Sequence, residues 1–284
     1  MDMQKLIRDN KKKAKWNDDL KRREIAQVEI DYYNNIQADY MNTHYSYIFE
    51  NQNKLDLMQR YSQFLNLTEQ IIDQLAVAFK SGVDVELYKS SETDKSETTK
   101  AKEEELKDIL NACMFEANLK TADRLALLNH YCAISAVWDS ETKAIRLDII
   151  PASICFVEQD ENSPRNIKAF YYQINITENS PTIADNITLY QRWTNETSDI
   201  VSVDSYGNSR VIESQPNPYK QIPVVAFMPE LPLFGYFPEK RNMLVEWNTT
   251  INKELTDYEA THTIQNHALL TTINAESMGN LKVG

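Results

Sequence analysis

The sequence predicts an α+β fold with N-terminal helices, a central antiparallel β-sheet and a long C-terminal helix. Three observations carry it. Apolar residues recur every three or four positions early in the chain and again after residue 239. Between about 133 and 228 they alternate in short runs separated by polar turns. A proline-dense stretch divides the strand region from the last helix. The resulting segments are 1–82, helical; 83–132, a strand, a polar loop and helices; 133–228, antiparallel sheet; 229–273, a Pro-rich connection and long helix; and 274–284, a tail where the pattern stops.

In the first segment Ile25, Val28, Tyr32, Ile36 and Tyr40 form one apolar stripe. The basic runs at 11–15 and 21–23 are interleaved with Asp18, Asp19 and Glu24, so they read as a solvated helix face rather than a nucleic-acid patch. Asn66 and Glu69 stand as N-cap and N3 of a capping box, with Gly82 as the stop and Ile72, Leu75 and Phe79 as the buried edge. Residues 83–87 alternate Val83, Val85 and Leu87 with acids, a half-buried strand. Residues 90–105 are almost wholly polar and read as a solvated loop entering the next helix. Leu106, Leu110, Cys113 and Ala117 continue helically.

From Ile134 the period changes. ISAVW and AIRLDII read as a hairpin ending at Pro151, SICFVEQ and IKAFYYQINI as a second, and NITLYQRW, DIVSV and RVIES as the rest of a meander. Pro216, Pro218, Pro223, Pro229, Pro232 and Pro238 then exclude a helix interior. The final helix, about Glu239 to Ile273, carries Leu244, Trp247, Ile251, Leu255, Tyr258, His262, Gln265 and Leu269 at spacings of three and four. Of these, Leu244, Trp247, Ile251, Leu255, Tyr258 and Leu269 are the candidate subunit-packing residues.

A formal net charge of -12 over 284 residues argues against gripping a phosphate backbone, which is the work of Lys and Arg. With only 5 glycines there is neither a G-x-x-x-x-G-K nor a G-x-G-x-x-G motif, so nucleotide chemistry is not expected. Cys113, Cys132 and Cys155 suit neither a disulfide framework nor a zinc knuckle, and read as reduced, mostly buried thiols. No apolar run approaches the roughly 20 residues of a membrane span, and a soluble, unexported protein is expected.

Catalytic residues, metal and cofactors are not expected. Of His44, His130, His262 and His267, His130 stands at the helix-to-strand change, where a capping or core role is the more common one, and His262 and His267 lie roughly 140° apart around a helix. Glu103, Glu104, Glu105 and Asp108 point in different directions on a helix and would serve its first turn better than a cation. The tyrosines are more informative. Tyr32, Tyr33, Tyr40, Tyr45 and Tyr47 crowd near the first helix without a basic groove beside them, which favours a protein interface over a stacking platform for single strands.

The order of segments resembles the portal proteins of tailed bacteriophages, in their N-terminal and wing portion. EIDYYNNIQADYMNTHY is similar to the early portal helix, and NLTEQIIDQLAVAFKSGVDVEL to the helix and strand leading to the wing. AISAVWDSETKAIRLDIIPASICFVEQDENSPRNIKAFYY resembles the wing hairpin and its sequel. NPYKQIPVVAFMPELPLFGYFPEKRNMLVEWNTTINKEL resembles the strand after Ile222-Pro223 and the following helix with Ile251-Asn252. Two departures stand out: NHYCAIS at 129–135 where many portals have a glycine, and no stem, clip or second stem helix after Gly284.

The resemblance implies a structural role without an active site. It implies a dodecameric homo-oligomeric ring at the capsid vertex of the virion, assembled in the host cytoplasm. Double-stranded DNA would pass through the ring non-specifically, helped by acidic walls that do not hold it. The terminase large subunit, head-completion or adaptor proteins and capsid or scaffold proteins would be its partners, with no membrane. The alternatives are a phage-encoded metal-dependent nuclease built on the scattered carboxylates, or another virion or adaptor protein without a channel.

Overall fold

In the computed structural model, residues 3–48, 52–87, 97–140, 142–160, 162–174, 187–204, 208–238 and 243–273 are described. The helices are α1 (Met3–Tyr33), α2 (Gln37–Ile48), α3 (Gln52–Arg60), α4 (Leu67–Leu75), α5 (Glu97–Ala112), α6 (Phe115–Asn129) and α7 (Met243–Ile273). The strands are β1 (Cys132–Asp139), β2 (Ala144–Pro151), β3 (Cys155–Gln159), β4 (Ile167–Gln173), β5 (Thr188–Thr194), β6 (Thr197–Val203), β7 (Ser209–Pro216) and β8 (Val224–Phe227). The fold is α+β, as its periodicities predict. The chain divides into two compact units, Met1–Ile30 with Ile71–Asn242, and Asp31–Gln70 with Met243–Gly284.

The first unit holds all the described strands, in two antiparallel sheets rather than one: β2-β1-β8 and β3-β4-β5-β6-β7. The break falls at residues 152–154, between the β1–β2 hairpin and the β3–β4 hairpin. The proline-dense stretch is not wholly a connection, because β8 lies inside it and pairs with β1. β1 is apolar along most of its first half because both of its faces are covered there. Ala133 pairs with Ile150 and Ala226 on the face that joins the main core with Phe170 and Cys155. Cys132, with Ile134, Ile149 and Phe227, faces Ala122 and Ala126 of α6.

α1 reverses the expected solvated face. Arg23 is only 6% exposed and donates from Nη1 to the Tyr190 hydroxyl at 2.7 Å, with its guanidinium 5.4 Å from the Phe156 ring. Arg22 lies 3.7 Å over the Phe237 ring and donates to the carbonyls of Ala152 at 2.9 Å and Cys155 at 2.5 Å. Those carbonyls flank the break between the sheets, so one planar fork holds both ends of the joint. Asp19 pairs with both arginines, at 2.9 and 3.2 Å, and offsets one of their two positive charges. The KKKAK side chains lie outside the described residues.

Other local expectations change for physical reasons. The predicted apolar stripe is interrupted after Tyr33, where Asn35 takes φ 63° and leaves Ile36 exposed. The capping box forms: Asn66 Oδ1 accepts from the Glu69 amide at 3.1 Å, and Asn66 Nδ2 donates to the Glu69 carboxylate at 3.0 Å. Its helix ends at Leu75 rather than near Gly82, and the freed amide of Ala78 finds Asp123 Oδ2 at 3.3 Å. Of the expected edge, Ile72 is buried, Phe79 packs beside Phe227 at 5.9 Å, and Leu75 is exposed. Residues 83–87 alternate in burial but form no ladder; Val83 and Val85 face α5 and α6 instead of a strand. The loop at 88–96, the turn at 205–207 and the tail at 274–284 lie outside the described residues.

Cys132 and Cys155 are buried, and burial pushes both thiols up to about 12. At pH 8 they stay protonated and non-nucleophilic. We predict that a thiol-reactive disulfide dye labels at most Cys113 in the native protein and all three cysteines after denaturation. Arg22→Ala strips donors from two carbonyls at the sheet joint and should cost about 1–3 kcal/mol in urea unfolding. Arg22→Lys should recover only part of that, since an ammonium lacks the planar fork.

Candidate interaction surface

α7 in the second unit carries every packing residue that the sequence singles out. Its inward row is Val245, Asn248, Asn252, Thr256 and Ala260, spaced three and then four residues apart and mostly polar. The three polar members are 0% exposed. Asn248 Nδ2 donates to Gln37 Oε1 at 2.6 Å, and Asn248 Oδ1 accepts from the Leu67 amide at 3.1 Å. Asn252 Oδ1 accepts from the Leu65 amide at 2.9 Å, and its Nδ2 donates back to the Leu65 carbonyl at 3.3 Å. Thr256 Oγ1 accepts from the Gln63 amide at 2.9 Å and donates to the Asn252 carbonyl at 2.8 Å.

This seam settles segment 63–67, which has no helical or strand hydrogen bonds before α4 begins, so α7 supplies its missing partners. Gln37, itself fully buried at the start of α2, is the hub that receives the first asparagine. A small apolar cluster completes the unit: Met41 and Tyr45 of α2, Met58 of α3 and Ala260 of α7. Burial raises the pKa of Tyr45, with the Thr256 hydroxyl working the other way, and raises that of Tyr32, whose hydroxyl lies 2.7 Å from Thr249 Oγ1. Burial lowers the pKa of His44, and the positive charge of Lys253 lowers it further.

One position before each inward polar residue stands an outward apolar one. Met243, Trp247, Ile251 and Leu255, followed by Tyr258, lie about 100° around the helix from the seam. Trp247 is 61% exposed, Tyr258 68%, and Ile251 and Leu255 40% and 38%. Thus four of the six packing candidates form a continuous exposed row. Leu244 is half-buried beside it, and the Leu269 side chain lies outside the described ones. Tyr258 extends the row by stacking on His262, ring centroids 6.0 Å apart. The spacing of 4, 4, 4 and 3 follows an i±4 ridge, suited to crossing another helix rather than to a straight heptad seam.

The other candidates do not converge. Glu103 is buried and paired with Lys107 at 3.1 Å, whereas Glu104, Glu105 and Asp108 point to solvent. His130 is the left-handed C-cap of α6, and the His267 side chain is not described. Among the described residues no group of three or more His, Cys, Asp and Glu is arranged to hold a metal ion. Likewise, no described helix is long and apolar enough to cross a membrane. No family model matches the chain, and no curated protein matches it.

The seam itself escaped sequence reading, because Asn248, Asn252 and Thr256 look like the solvent face of an amphipathic helix. Their four-residue repeat beside the apolar one was the available signal. The two rows make opposite predictions. Trp247→Ser should change unfolding free energy by less than about 0.5 kcal/mol. Asn248→Ala, one position on, should cost about 1–3 kcal/mol because the Leu67 amide and Gln37 lose a buried partner. Chemical denaturation of the two variants checks this.

Proposed function

We propose that the chain is the structural subunit of a tailed-phage portal ring, through which double-stranded DNA is packaged and ejected. The observation that carries the reading is the exposed apolar row of α7, since a row of this length on a monomer marks an interaction surface. A ring needs heterologous contacts in which this surface meets a different one on the next copy, repeated until the rotation closes. Helices, antiparallel strands, a proline-dense stretch and a long helix follow one another in the order that the portal resemblance calls for.

The charge fits such a passage. A net -12 repels the phosphate backbone, so DNA would move by without long-lived contacts. The role is mechanical and needs no active site. The terminase large subunit, head-completion or adaptor proteins and capsid or scaffold proteins are the expected partners, at the capsid vertex of the virion.

Native mass spectrometry and negative-stain electron microscopy of the wild-type chain should show closed rings, with twelve copies as the expected number. Ile251→Glu places a charge in the middle of the apolar row and should yield monomers with unchanged circular dichroism. A wild-type protein that stays monomeric at high concentration overturns the proposal.

A further inference from the structure

The β2-β1-β8 sheet carries α6 on one face, but α6 covers only the half of that face nearest Cys132. Along β1 the side chains of Cys132, Ile134, Ala136 and Trp138 share this face, because successive residues of a strand alternate sides. Ala122 and Ala126 of α6 pack over Cys132 and Ile134. Farther along the strand the cover ends. Trp138 is 57% exposed, and its cross-strand partner Ile145 is exposed beside it. Val225 of β8, which pairs with Ile134, is 69% exposed, and Ala136 is exposed between them.

The backbone beneath this patch is already satisfied. The Ala136 amide donates to the Pro223 carbonyl at 3.2 Å, and the Trp138 amide donates to the Tyr219 hydroxyl at 2.6 Å. What is open is therefore a side-chain face and not a sheet edge, and beside α6 a second helix completes such a layer.

The exposed row of α7 has the matching length and the opposite charge. From Trp247 to Leu255 it spans about 12 Å of helix. From the level of Val225 to Trp138 the patch spans about 13 Å of strand. Glu254 stands within the row, and Glu246 and Asp257 lie along one flank, all three exposed, against a half-buried Lys253. At the patch, Lys143 in the β1–β2 turn and Lys220 next to Tyr219 are exposed, against a half-buried Asp139. One surface is thus apolar with an acidic rim, and the other is apolar with a basic one. Two α7 rows would meet acid to acid, whereas α7 on the sheet face pairs unlike charges.

We propose that the exposed row of α7 seats on the face formed by Trp138, Ile145 and Val225 of a second copy of the chain, beside that copy's α6. This rests on the ring reading above and names the surface that α7 meets in the ring. The two surfaces differ, so the contact is heterologous and repeats from copy to copy. Trp138 and Trp247 are its anchors, since large aromatic side chains carry most of the energy of such contacts.

Two variants, alone and mixed, test it by native mass spectrometry and sedimentation velocity. Trp138→Glu leaves the α7 row intact, and Ile251→Glu leaves the sheet face intact. Each alone should be monomeric with the circular dichroism of the wild type. An equimolar mixture at high concentration should give one-to-one dimers of doubled mass and nothing larger, since a single complementary pair of surfaces remains. Rings formed by Trp138→Glu alone overturn this inference and leave the ring reading standing, with the exposed Leu231, Leu233 and Phe234 as the alternative surface. Dimers of Trp138→Glu alone mean that α7 packs on α7, and they overturn it as well. So does a mixture that stays monomeric under conditions where the wild type forms rings. A monomeric wild type overturns the ring reading and this inference together. Where Trp138→Glu fails to fold, Val225→Glu on the same face takes its place.

Discussion

Asn248, Asn252 and Thr256 fix the rotation of α7, because each answers a backbone amide between Gln63 and Leu67 that has no ladder of its own. Rolling the helix by one residue, about 100°, would bury Trp247 and Ile251 in their place. Burying such a side chain completely gains about 1.5–3 kcal/mol, and less for one that is already partly covered. The same roll would strand the Gln63 and Leu65 amides, the Gln37 side-chain carbonyl and the seam side chains, at about 1–3 kcal/mol each, and would leave the Leu67 amide only the Leu65 carbonyl at 3.2 Å. The polar seam wins, so the apolar row is held outward by hydrogen bonds made elsewhere on the same helix.

A comparable inversion occurs in the first unit. Arg22 and Arg23 sit where an amphipathic helix would normally place leucines. They hold the sheet joint and the Tyr190 hydroxyl while their planar groups cover Phe237 and Phe156. Planarity explains why arginine rather than lysine can do both at once. In each unit, then, polar side chains on a long helix fix how it packs.

Much of the fold was legible because strand alternation and turn chemistry are local. The hairpins around residue 142 and residue 163, the capping box at Asn66 and the turn-to-helix order all follow from neighbours in sequence. The division into two sheets was not legible, since the three residues at the joint resemble any turn, and the arginine fork that holds it comes from about 130 positions upstream. The strand expected at 83–87 has the right alternation but no partner edge among the described residues, and pairing is a property of the neighbour as much as of the segment. For the candidate surface, spacing picked out Trp247, Ile251, Leu255 and Tyr258, which stand together as an exposed row. Which way the row faces depended on Gln37 and the 63–67 backbone, and no periodicity within α7 encodes them.

The central claim is that the α7 row is turned outward by the seam and covered only by another copy. Hydroxyl-radical footprinting of Trp247 and Tyr258 across a dilution series addresses it directly, with the buried Trp193 as internal reference. Both residues should be strongly oxidised in dilute protein and protected when it is concentrated, while Trp193 stays protected throughout. Protection of Trp247 at every dilution, or equal oxidation at every concentration, would contradict it.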